Sequence, residues 1–333
     1  MNILYLINNF SKTSVPVGWS QYIQNNLNSI NISLVSIKQF SLKNLKLIVQ
    51  SNILHGHHIK VMAIFIFLNF IFNKQTVYTV HGSYLYLSED NKKLLKYILK
   101  RVNKVIFVNK FLYDALPNEL KDMIKNKYKI ILNGVDIDFK YKKTDVCSKF
   151  NISQDDKIIF HPARFVKEKN HINVIKSFKL LQQIDAKTKL ILAGDGVLKL
   201  EILAIIEELD LKDHVVLLGL IDREEVYSFL EKCDLFIMPS ISEGLNIAFL
   251  EAMSMNTKIL VSDIEQFTYP FKHYALKPLD YNVYFANPNN VENLFNGLVQ
   301  ALNSKKNQNF DMNIFSLKNM MKEYKVIYEE VLS

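Results

Sequence analysis

Short apolar runs alternate with stretches of helical periodicity along the whole 333-residue chain. A strand inside a parallel sheet is buried on both faces, so it is a nearly continuous apolar run, and a helix usually connects it to the next strand. Eleven runs fit this description, at residues 2–8, 33–37, 53–57, 76–80, 104–108, 129–132, 157–161, 189–193, 214–218, 235–238 and 258–262. The alternation predicts an α/β protein with two successive parallel sheets of five or six strands.

The length favours two domains, and we expect them to join in the polar, lysine-rich stretch at residues 141–149. We therefore predict a first domain over residues 1–145 and a second over residues 146–311. Residues 312–333 carry an apolar stripe at helical spacing, made of Met320, Met321, Tyr324, Ile327, Tyr328 and Val331. The stripe predicts an amphipathic last helix, which from pattern alone could pack on either domain.

The segment at residues 239–254, PSISEGLNIAFLEAMS, is the strongest candidate for a ligand-binding site in the sequence. It follows a predicted strand and passes through a turn of small residues into an apolar helix that begins near Asn246. Backbone N–H groups at a helix N-terminus favour an anion such as phosphate. Glu243 lies in the turn and Glu251 about two helical turns later, where a carboxylate can accept the paired hydroxyls of a ribose. A surface turn with two solvated glutamates would give the same pattern.

The spacing E-G-x-x-I-x-x-x-E-A-M resembles the donor-binding signature of retaining glycosyltransferases of family 4, which have the GT-B fold. Further matches to this family follow one another along the chain, at Thr79-Val80-His81-Gly82, Asn133-Gly134-Val135-Asp136, Arg164-x4-Lys169 and Gly194-Asp195-Gly196. The resemblance implies two Rossmann-like parallel-sheet domains with an interdomain cleft. It also implies that the last helix crosses back to the N-terminal domain, and that the nucleotide-sugar donor lies mostly on the C-terminal domain.

The resemblance gives roles to individual residues. Arg164 and Lys169 would hold the donor diphosphate and neutralise it as it leaves, since an arginine fork and a lysine charge both suit phosphate oxygens. Glu251 would bind the ribose hydroxyls, and Glu243 would lie near the donor sugar. His81 would lie near the reaction centre, although a lone histidine is also common in a protein core.

Other donor contacts are expected from backbone groups. They come from Gly18, Gly244, Leu245 and Asn246, while Gly219 and Leu220, which follow a strand, are expected to wall the nucleobase. The chain departs from the family at Val17 and at Asn246, because small residues and a glycine are usual there. Trp19, the single tryptophan, is a candidate for acceptor contact or a core anchor.

No metal ion or other cofactor is expected, so transfer should be metal-independent. Asp136-Ile137-Asp138 resembles a metal-binding D-x-D, but it follows Asn-Gly at a turn and helix start, where capping is the better interpretation. His55-Gly56-His57-His58 lacks accompanying cysteines or carboxylates at metal-ligand spacing. Gly194-Asp195-Gly196 lacks the third glycine of a dinucleotide fingerprint, which argues against NAD.

Charge is divided unevenly along the chain. Residues 1–150 carry 21 Lys+Arg and 8 Asp+Glu, a net charge of +13, whereas residues 151–333 carry 20 and 25, a net charge of −5. This division favours an anionic membrane surface as a partner of the first half, with a patch at Lys92, Lys93, Lys96 and Lys100. Nucleic acid is disfavoured, because three of the 41 basic residues are arginine and no aromatic-basic motif is present.

The cellular setting is expected to be the cytoplasm, on the inner face of the membrane. Cys147 and Cys233 cannot form a disulfide framework, which favours a reducing compartment. The first residues read as a strand and not as a signal peptide, because no basic region precedes the apolar run. The apolar run at residues 61–72 is too short to span a bilayer and is interpreted as a core helix, or alternatively as an interfacial one.

The resemblance implies a retaining glycosyltransferase of the hexosyl or N-acetylhexosaminyl class. Its donor would be a UDP-, GDP- or dTDP-sugar, and its acceptor a glycan or a polyprenyl-linked glycan, as in the synthesis of O-antigen or capsule. Two alternatives stay open. One is a GT-B sugar-nucleotide epimerase, and the other is a non-catalytic glycosyltransferase-like subunit that binds or stabilises a partner.

Overall fold

The computed structural model describes residues 1–8, 19–20, 22–23, 29–36, 42–243, 247–308 and 310–333. The chain forms two compact units, one of Met1–Gly134 with Phe315–Ser333 and one of Val135–Ile314. The chain enters the second unit before residue 145, where we expected the join. Tyr141 already belongs to the second unit, and its hydroxyl donates a hydrogen bond to Glu231 of that unit at 2.8 Å.

The first unit is built, over its described residues, on a six-stranded parallel sheet with the order β2-β1-β3-β4-β5-β6. Its strands are β1 (Asn2–Ile7), β2 (Asn31–Ser36), β3 (Ile53–Gly56), β4 (Gln75–Val80), β5 (Lys104–Phe107) and β6 (Tyr128–Ile130). The helices between them are α1 (Leu42–Gln50), α2 (Ile59–Phe72), α3 (Glu89–Arg101), α4 (Lys110–Asp114) and α5 (Asn118–Ile124), with a 3-10 helix at Tyr84–Tyr86.

The second unit repeats this plan, with a parallel sheet of six described strands in the order β12-β11-β10-β7-β8-β9. Its strands are β7 (Lys157–Pro162), β8 (Thr188–Ala193), β9 (Val215–Gly219), β10 (Leu235–Met238), β11 (Ile259–Ser262) and β12 (Val283–Ala286). Its helices are α6 (Val146–Lys149), α7 (His171–Gln182), α8 (Lys199–Glu208), α9 (Arg223–Lys232), α10 (Ile247–Ser254), α11 (Glu265–His273) and α12 (Val291–Asn303), with 3-10 helices at Lys167–Lys169 and Pro278–Tyr281.

The last helix, α13 (Leu317–Leu332), belongs to the first unit. Its predicted apolar stripe is buried on one face of the first sheet, in a cluster with Ile3, Tyr5, Ile53, Val77 and Ile106. The other face of that sheet is covered by α2 and α3. The expectation that the last helix packs on the N-terminal domain is therefore confirmed, and the sheet lies between two apolar layers, as a parallel sheet requires.

Candidate functional site

Three loops follow β7, β8 and β9 at the same edge of the second sheet, where ligands of open α/β sheets bind. The backbone N–H of Ala163 donates to the Ala193 carbonyl at 2.9 Å, and that of Phe165 donates to the Asp195 carbonyl at 2.9 Å. These two hydrogen bonds flank Arg164. The backbone that carries the arginine is therefore fixed against the loop that follows β8.

Gly194 permits this close approach. Its φ of +153° lies in a region that other residues rarely adopt, and a Cβ atom there would lie 2.0 Å from the Ala163 carbonyl oxygen. Its N–H donates to the Gly219 carbonyl at 2.8 Å, which joins the loop after β9 to the other two. The Gly-Asp-Gly match is thus a tight loop that positions the Arg164 backbone.

Arg164 and Lys169 lie in different environments. Arg164 is exposed, and its guanidinium forms no ion pair with any residue in the described part of the chain. Lys169 is 12% exposed and its ammonium forms an ion pair with Glu243, which is 10% exposed. The Ser240 hydroxyl donates to the same Glu243 oxygen at 2.7 Å. The first glutamate of the predicted signature and the predicted diphosphate lysine therefore form one largely buried cluster.

Backbone contacts hold this cluster together. The Ile241 N–H donates to the Glu168 carbonyl at 2.9 Å, beside the ion pair. The Asn170 amide donates to the Pro239 carbonyl at 3.1 Å and to the Pro288 carbonyl at 2.7 Å. The segment that carries Lys169 is thereby tied to the loop that carries Glu243.

Glu251 forms a second cluster with residues that the sequence analysis did not single out. Its Oε1 accepts from Arg223 at 2.7 Å and from the Tyr227 hydroxyl at 3.2 Å. The Arg223 guanidinium also lies 4.6 Å from the centre of the Phe139 ring. Burial raises the pKa of Glu251, while Arg223 opposes that shift by favouring the carboxylate. Both contacts end on Oε1, so Oε2 has no partner among the described residues.

One sequence signal could have pointed to Arg223. The chain has 41 basic residues, of which Arg101, Arg164 and Arg223 are the arginines. Lysine cannot replace an arginine where a planar fork binds a carboxylate or stacks on a ring. In a lysine-rich chain, each arginine is therefore a candidate for such a position.

The remaining donor-side predictions have different outcomes. Gly219 ends β9 with a φ of +69°, and Leu220 beside it is 81% exposed, so that the leucine is open to a ligand. A nucleobase contact at this pair stays a prediction. Four predicted residues, Gly18, Gly244, Leu245 and Asn246, lie outside the described residues.

In the first unit, His81 follows β4 and His57 follows the neighbouring strand β3. Their rings meet, with His57 Nδ1 3.0 Å from His81 Nε2. Burial lowers the pKa of His81 to about 4, with a further contribution from His58, and burial also lowers the pKa of His57 well below its ordinary value. Both rings therefore favour the neutral form and are joined by one N–H···N hydrogen bond. Sequence analysis missed His57 as the partner.

A buried polar network supports this pair. His55 lies 2.8 Å from the Tyr328 hydroxyl through Nδ1 and 2.8 Å from the Thr79 hydroxyl through Nε2. The Tyr5 hydroxyl lies 3.1 Å from that of Tyr328. Trp19 is 3% exposed, with its ring centre 5.9 Å from that of His57. Trp19 is a core anchor in this structure, and its contact with an acceptor stays a prediction.

A cavity of about 560 Å³ opens beside the histidine pair, between α2 and α3. Its polar lining includes His57, His81, Lys60 and Asn91, and apolar residues such as Leu95 complete it. His57 Nε2 and Asn91 Oδ1 are buried without a hydrogen-bond partner among the described residues. Buried polar atoms without a partner are costly, so these two mark a polar region beside the cavity.

Two further observations concern metals and membranes. No group of three or more His, Cys, Asp or Glu side chains in the described ranges is arranged to hold a metal ion. The Asp136 carboxylate accepts a hydrogen bond from the Asp138 N–H at 3.2 Å, within a turn. Residues 139–145 after this turn are not helical, so our expectation of a helix start here was wrong. Across the part of the chain that the structure describes, no helix has both the length and the apolar content to cross a bilayer.

Family models match both halves of the chain. The model of "Glycosyl transferases group 1" matches residues 143–315, just over half of the chain. The model of "Glycosyltransferase Family 4" matches residues 24–139. Together the two matches extend over most of both structural units.

Named relatives match over shorter regions. The N-acetylgalactosamine-N,N'-diacetylbacillosaminyl-diphospho-undecaprenol 4-alpha-N-acetylgalactosaminyltransferase of Campylobacter jejuni is 30% identical over 196 residues, which cover 54% of this chain and 51% of that protein. The O-antigen biosynthesis glycosyltransferase WclY of Escherichia coli is 30% identical over 152 residues, which cover 45% and 41%. The chain thus spans about half or less of the length of these relatives.

Solved structures match nearly the whole chain. HepE of Anabaena, in complex with UDP, has a TM-score of 0.77 at 16% identity over 99% of this chain and 100% of that one. A glycosyltransferase of Rickettsia africae has a TM-score of 0.78 at 20% identity over 100% and 98%. At these identities the likeness shows the fold alone, and it confirms the predicted GT-B fold class.

Proposed function

The chain belongs to the family of glycosyl transferases group 1, and from that premise we propose that it transfers a sugar from a nucleoside-diphosphate donor to a glycan or lipid-linked glycan. The observation that carries this proposal is the pairing of the predicted donor residues in the second unit. Glu243 is paired with Lys169, Glu251 is paired with Arg223, and exposed Arg164 lies on a loop at the same sheet edge. Fixed cations and carboxylates of this kind suit a diphosphate and a ribose.

The proposed reaction moves one sugar and one proton. The acceptor hydroxyl oxygen forms a bond to C1 of the sugar as the bond from C1 to the β-phosphate oxygen breaks. The electron pair of that bond leaves with the nucleoside diphosphate, and the hydroxyl proton passes to a phosphate oxygen. Arg164 and Lys169 stabilise the negative charge that builds up on the diphosphate. Because the protein already holds these cations in place, they need not rearrange during the reaction.

Retention of the sugar's configuration is part of the proposal. A retaining glycosidase uses a free carboxylate as nucleophile. Here both candidate carboxylates are engaged, Glu243 by Lys169 and Ser240, and Glu251 by Arg223 and Tyr227. This engagement favours attack from the leaving-group face, without a covalent intermediate.

The first unit is proposed to bind the acceptor. The cavity beside His57 and His81 is also lined by Lys60 and Asn91, and polar side chains of this kind suit sugar hydroxyls. The neutral histidine pair can donate one hydrogen bond and accept another without adding charge. The name of the Campylobacter jejuni relative supports a polyprenyl-diphosphate-linked acceptor, and that of WclY supports a surface polysaccharide product. The UDP bound by HepE makes UDP-sugars the first donors to test.

Location at the membrane follows from the same acceptor. The +13 charge of residues 1–150 favours the anionic inner face of the cytoplasmic membrane. The patch expected on α3 is weaker than its sequence indicated, because Lys92 is paired with Glu89 and Lys96 with Glu119. Lys93 and Lys100 are exposed on that helix.

A donor panel followed by product analysis tests the proposal. UDP-, GDP- and dTDP-sugars are screened by thermal shift, where a bound donor at a hundredfold excess over its Kd stabilises the fold by about 2.7 kcal/mol. The donor that binds is then incubated alone and with polyprenyl-diphosphate-linked glycans. We expect a product larger by one sugar and release of nucleoside diphosphate. An epimerised donor formed without acceptor would identify an epimerase instead, and binding without any product would identify a non-catalytic subunit.

A further inference from the structure

Helix α2 presents an apolar face to solvent as well as to the core. Its exposed positions Lys60, Ile64, Phe67 and Ile71 recur at i, i+4, i+7 and i+11, and Phe70 lies beside them. Phe67 is 73% exposed, Phe70 94% and Ile71 73%. Scattered exposed apolar residues are normal, but a contiguous patch of large ones marks an interaction surface.

Cations border this face. Arg101 lines the same surface depression as Phe70 and Ile71, and its guanidinium lies 4.1 Å from the centre of the Tyr97 ring. Helix α2 has no acidic residue, because none precedes Glu89 in the chain. The face therefore combines exposed aromatic and branched side chains with positive charge at its edge.

We propose that the α2 face, formed by Ile64, Phe67, Phe70 and Ile71, inserts into the interface of an anionic lipid bilayer. Helix α2 is apolar around its circumference, and its inner side is buried in the core of the first unit. Its exposed apolar side can therefore lie below the headgroups, while Arg and Lys at its border extend to the phosphates. Arg101 is placed for that contact. This inference deepens the proposed function by naming the surface that brings the enzyme to its acceptor. The role of the contact rests on the proposed function, whereas membrane binding itself does not.

A second copy of the chain fits the face less well than a bilayer does. Pairing through the α2 face would bury the Arg101 of both copies in one interface. Like charges placed opposite one another in an interface are unfavourable. Anionic headgroups supply the complementary charge, and acyl chains supply the apolar environment.

The helix also connects the bilayer to the cavity. Lys60, at the start of α2, lines the cavity with His57 and His81. Ile71 lies eleven residues later, about 16 Å along the helix axis at 1.5 Å per residue. A helix lying flat in the interface thus has the acceptor cavity at one end, within reach of a sugar attached to a membrane-anchored diphosphate.

Insertion of the α2 face predicts vesicle binding that persists at high salt, whereas electrostatic attraction alone predicts binding that salt removes. Salt screens the attraction between lysines and headgroups, with a Debye length that falls to about 3 Å at 1 M. Burial of phenylalanine in an apolar environment is insensitive to this screening. We therefore expect the protein to stay bound to vesicles of phosphatidylcholine and phosphatidylglycerol at 0.5 M salt. Removal of both phenylalanines should weaken binding at least about a hundredfold, or tenfold for each.

Flotation with such vesicles tests the proposal on the full chain. The variant is Phe67→Ser with Phe70→Ser, and the matched control is Val197→Ser with Leu200→Ser, which are 88% and 81% exposed in the second unit. We expect the face variant to lose binding at 0.1 M and 0.5 M salt and the control to behave as wild type. A second readout places an environment-sensitive fluorophore at Phe70→Cys, whose emission should shift to the blue with anionic vesicles. Phosphatidylcholine alone should bind about tenfold more weakly.

Three outcomes would overturn the inference. One is equal binding by wild type and the face variant, and another is complete release of the wild type at 0.5 M salt. The third is a concentration-dependent dimer that the face variant abolishes while vesicles do not bind. Vesicle binding in a protein that gives no sugar transfer would leave this inference intact and count against the proposed function.

Discussion

At the scale of single residues, Arg164 and Lys169 are expected to serve the same diphosphate but differ in what they contribute to stability. Arg164 is exposed, so Arg164→Ala should lower the rate of transfer about a hundredfold or more and leave stability unchanged. Lys169→Ala should lower the rate of transfer similarly. It should also lower the free energy of unfolding by about 1–3 kcal/mol, because Glu243 then stays largely buried without its cation. Kinetics and urea denaturation of both variants measure the two effects.

The control for this pair is Lys167→Ala, since Lys167 is exposed on the same 3-10 helix. It should change neither quantity, because surface substitutions of this kind stay within about 0.5 kcal/mol. Arg164→Lys should rescue the rate in part, since it keeps the charge and loses the fork. Full activity in Arg164→Ala would remove that residue from the proposed site.

The sequence was sufficient to predict Glu243, Glu251, Arg164 and Lys169 as candidates, because a motif fixes their spacing. It was not sufficient to predict their partners. Arg223 is 28 residues from Glu251, and His57 is 24 from His81. No local pattern connects residues so far apart, since the folding of the sheets decides which strand ends are neighbours. Such pairings become visible only in three dimensions.

At the scale of elements, the Gly194 loop links strand ends to the predicted site. Gly194→Ala would place a Cβ 2.0 Å from the Ala163 carbonyl oxygen, so the loop that carries Arg164 must shift. We expect the free energy of unfolding to fall by about 1–3 kcal/mol and the affinity for nucleoside diphosphate to fall as well. The stability control is Gly219→Ala, which has a φ of +69° but no atom within 4 Å of its Cβ. It should cost about 1 kcal/mol from backbone strain alone. Equal costs measured by urea denaturation would show that the close approach is unimportant.

The elements themselves followed from the alternation of apolar runs with helical patterns, since eleven strands were predicted and found. The twelfth, β12, was not predicted, although its residues Val283-Tyr284-Phe285-Ala286 favour a strand and other strands of four residues were predicted. Helix α11 contains Pro270, a residue that normally ends a helix, so the local sequence does not indicate a helix across that position.

At the scale of the whole molecule, buried histidines predict how stability depends on pH. Burial lowers the pKa of His55 to about 3 and that of His81 to about 4, while the unfolded chain binds these protons near pH 6.5. The unfolded state therefore binds more protons from pH 6.5 down to about 4 for His81 and about 3 for His55. Stability is complete above pH 6.5 and is lost as pH falls through this range. Each histidine contributes about 1.4 kcal/mol per pH unit.

Urea denaturation at pH 7.5, 6.5 and 5.5 measures this dependence. His57→Asn should reduce the slope of the free energy of unfolding against pH, because burial also lowers the pKa of His57. Identical stability at pH 7.5 and 5.5 would contradict the burial of these neutral rings.

The central claim is that the second unit binds a nucleoside diphosphate with its own cations in place of a metal ion. Calorimetric titration of UDP, GDP and dTDP in excess EDTA tests it most directly, with wild type, Glu251→Gln and Arg164→Ala. We predict that at least one of the three binds wild type, and that Glu251→Gln weakens it roughly ten- to hundredfold through a lost charged hydrogen bond. We also predict that added magnesium leaves the affinity unchanged. Binding that requires magnesium or manganese, or that both variants leave as tight as in wild type, would contradict the account.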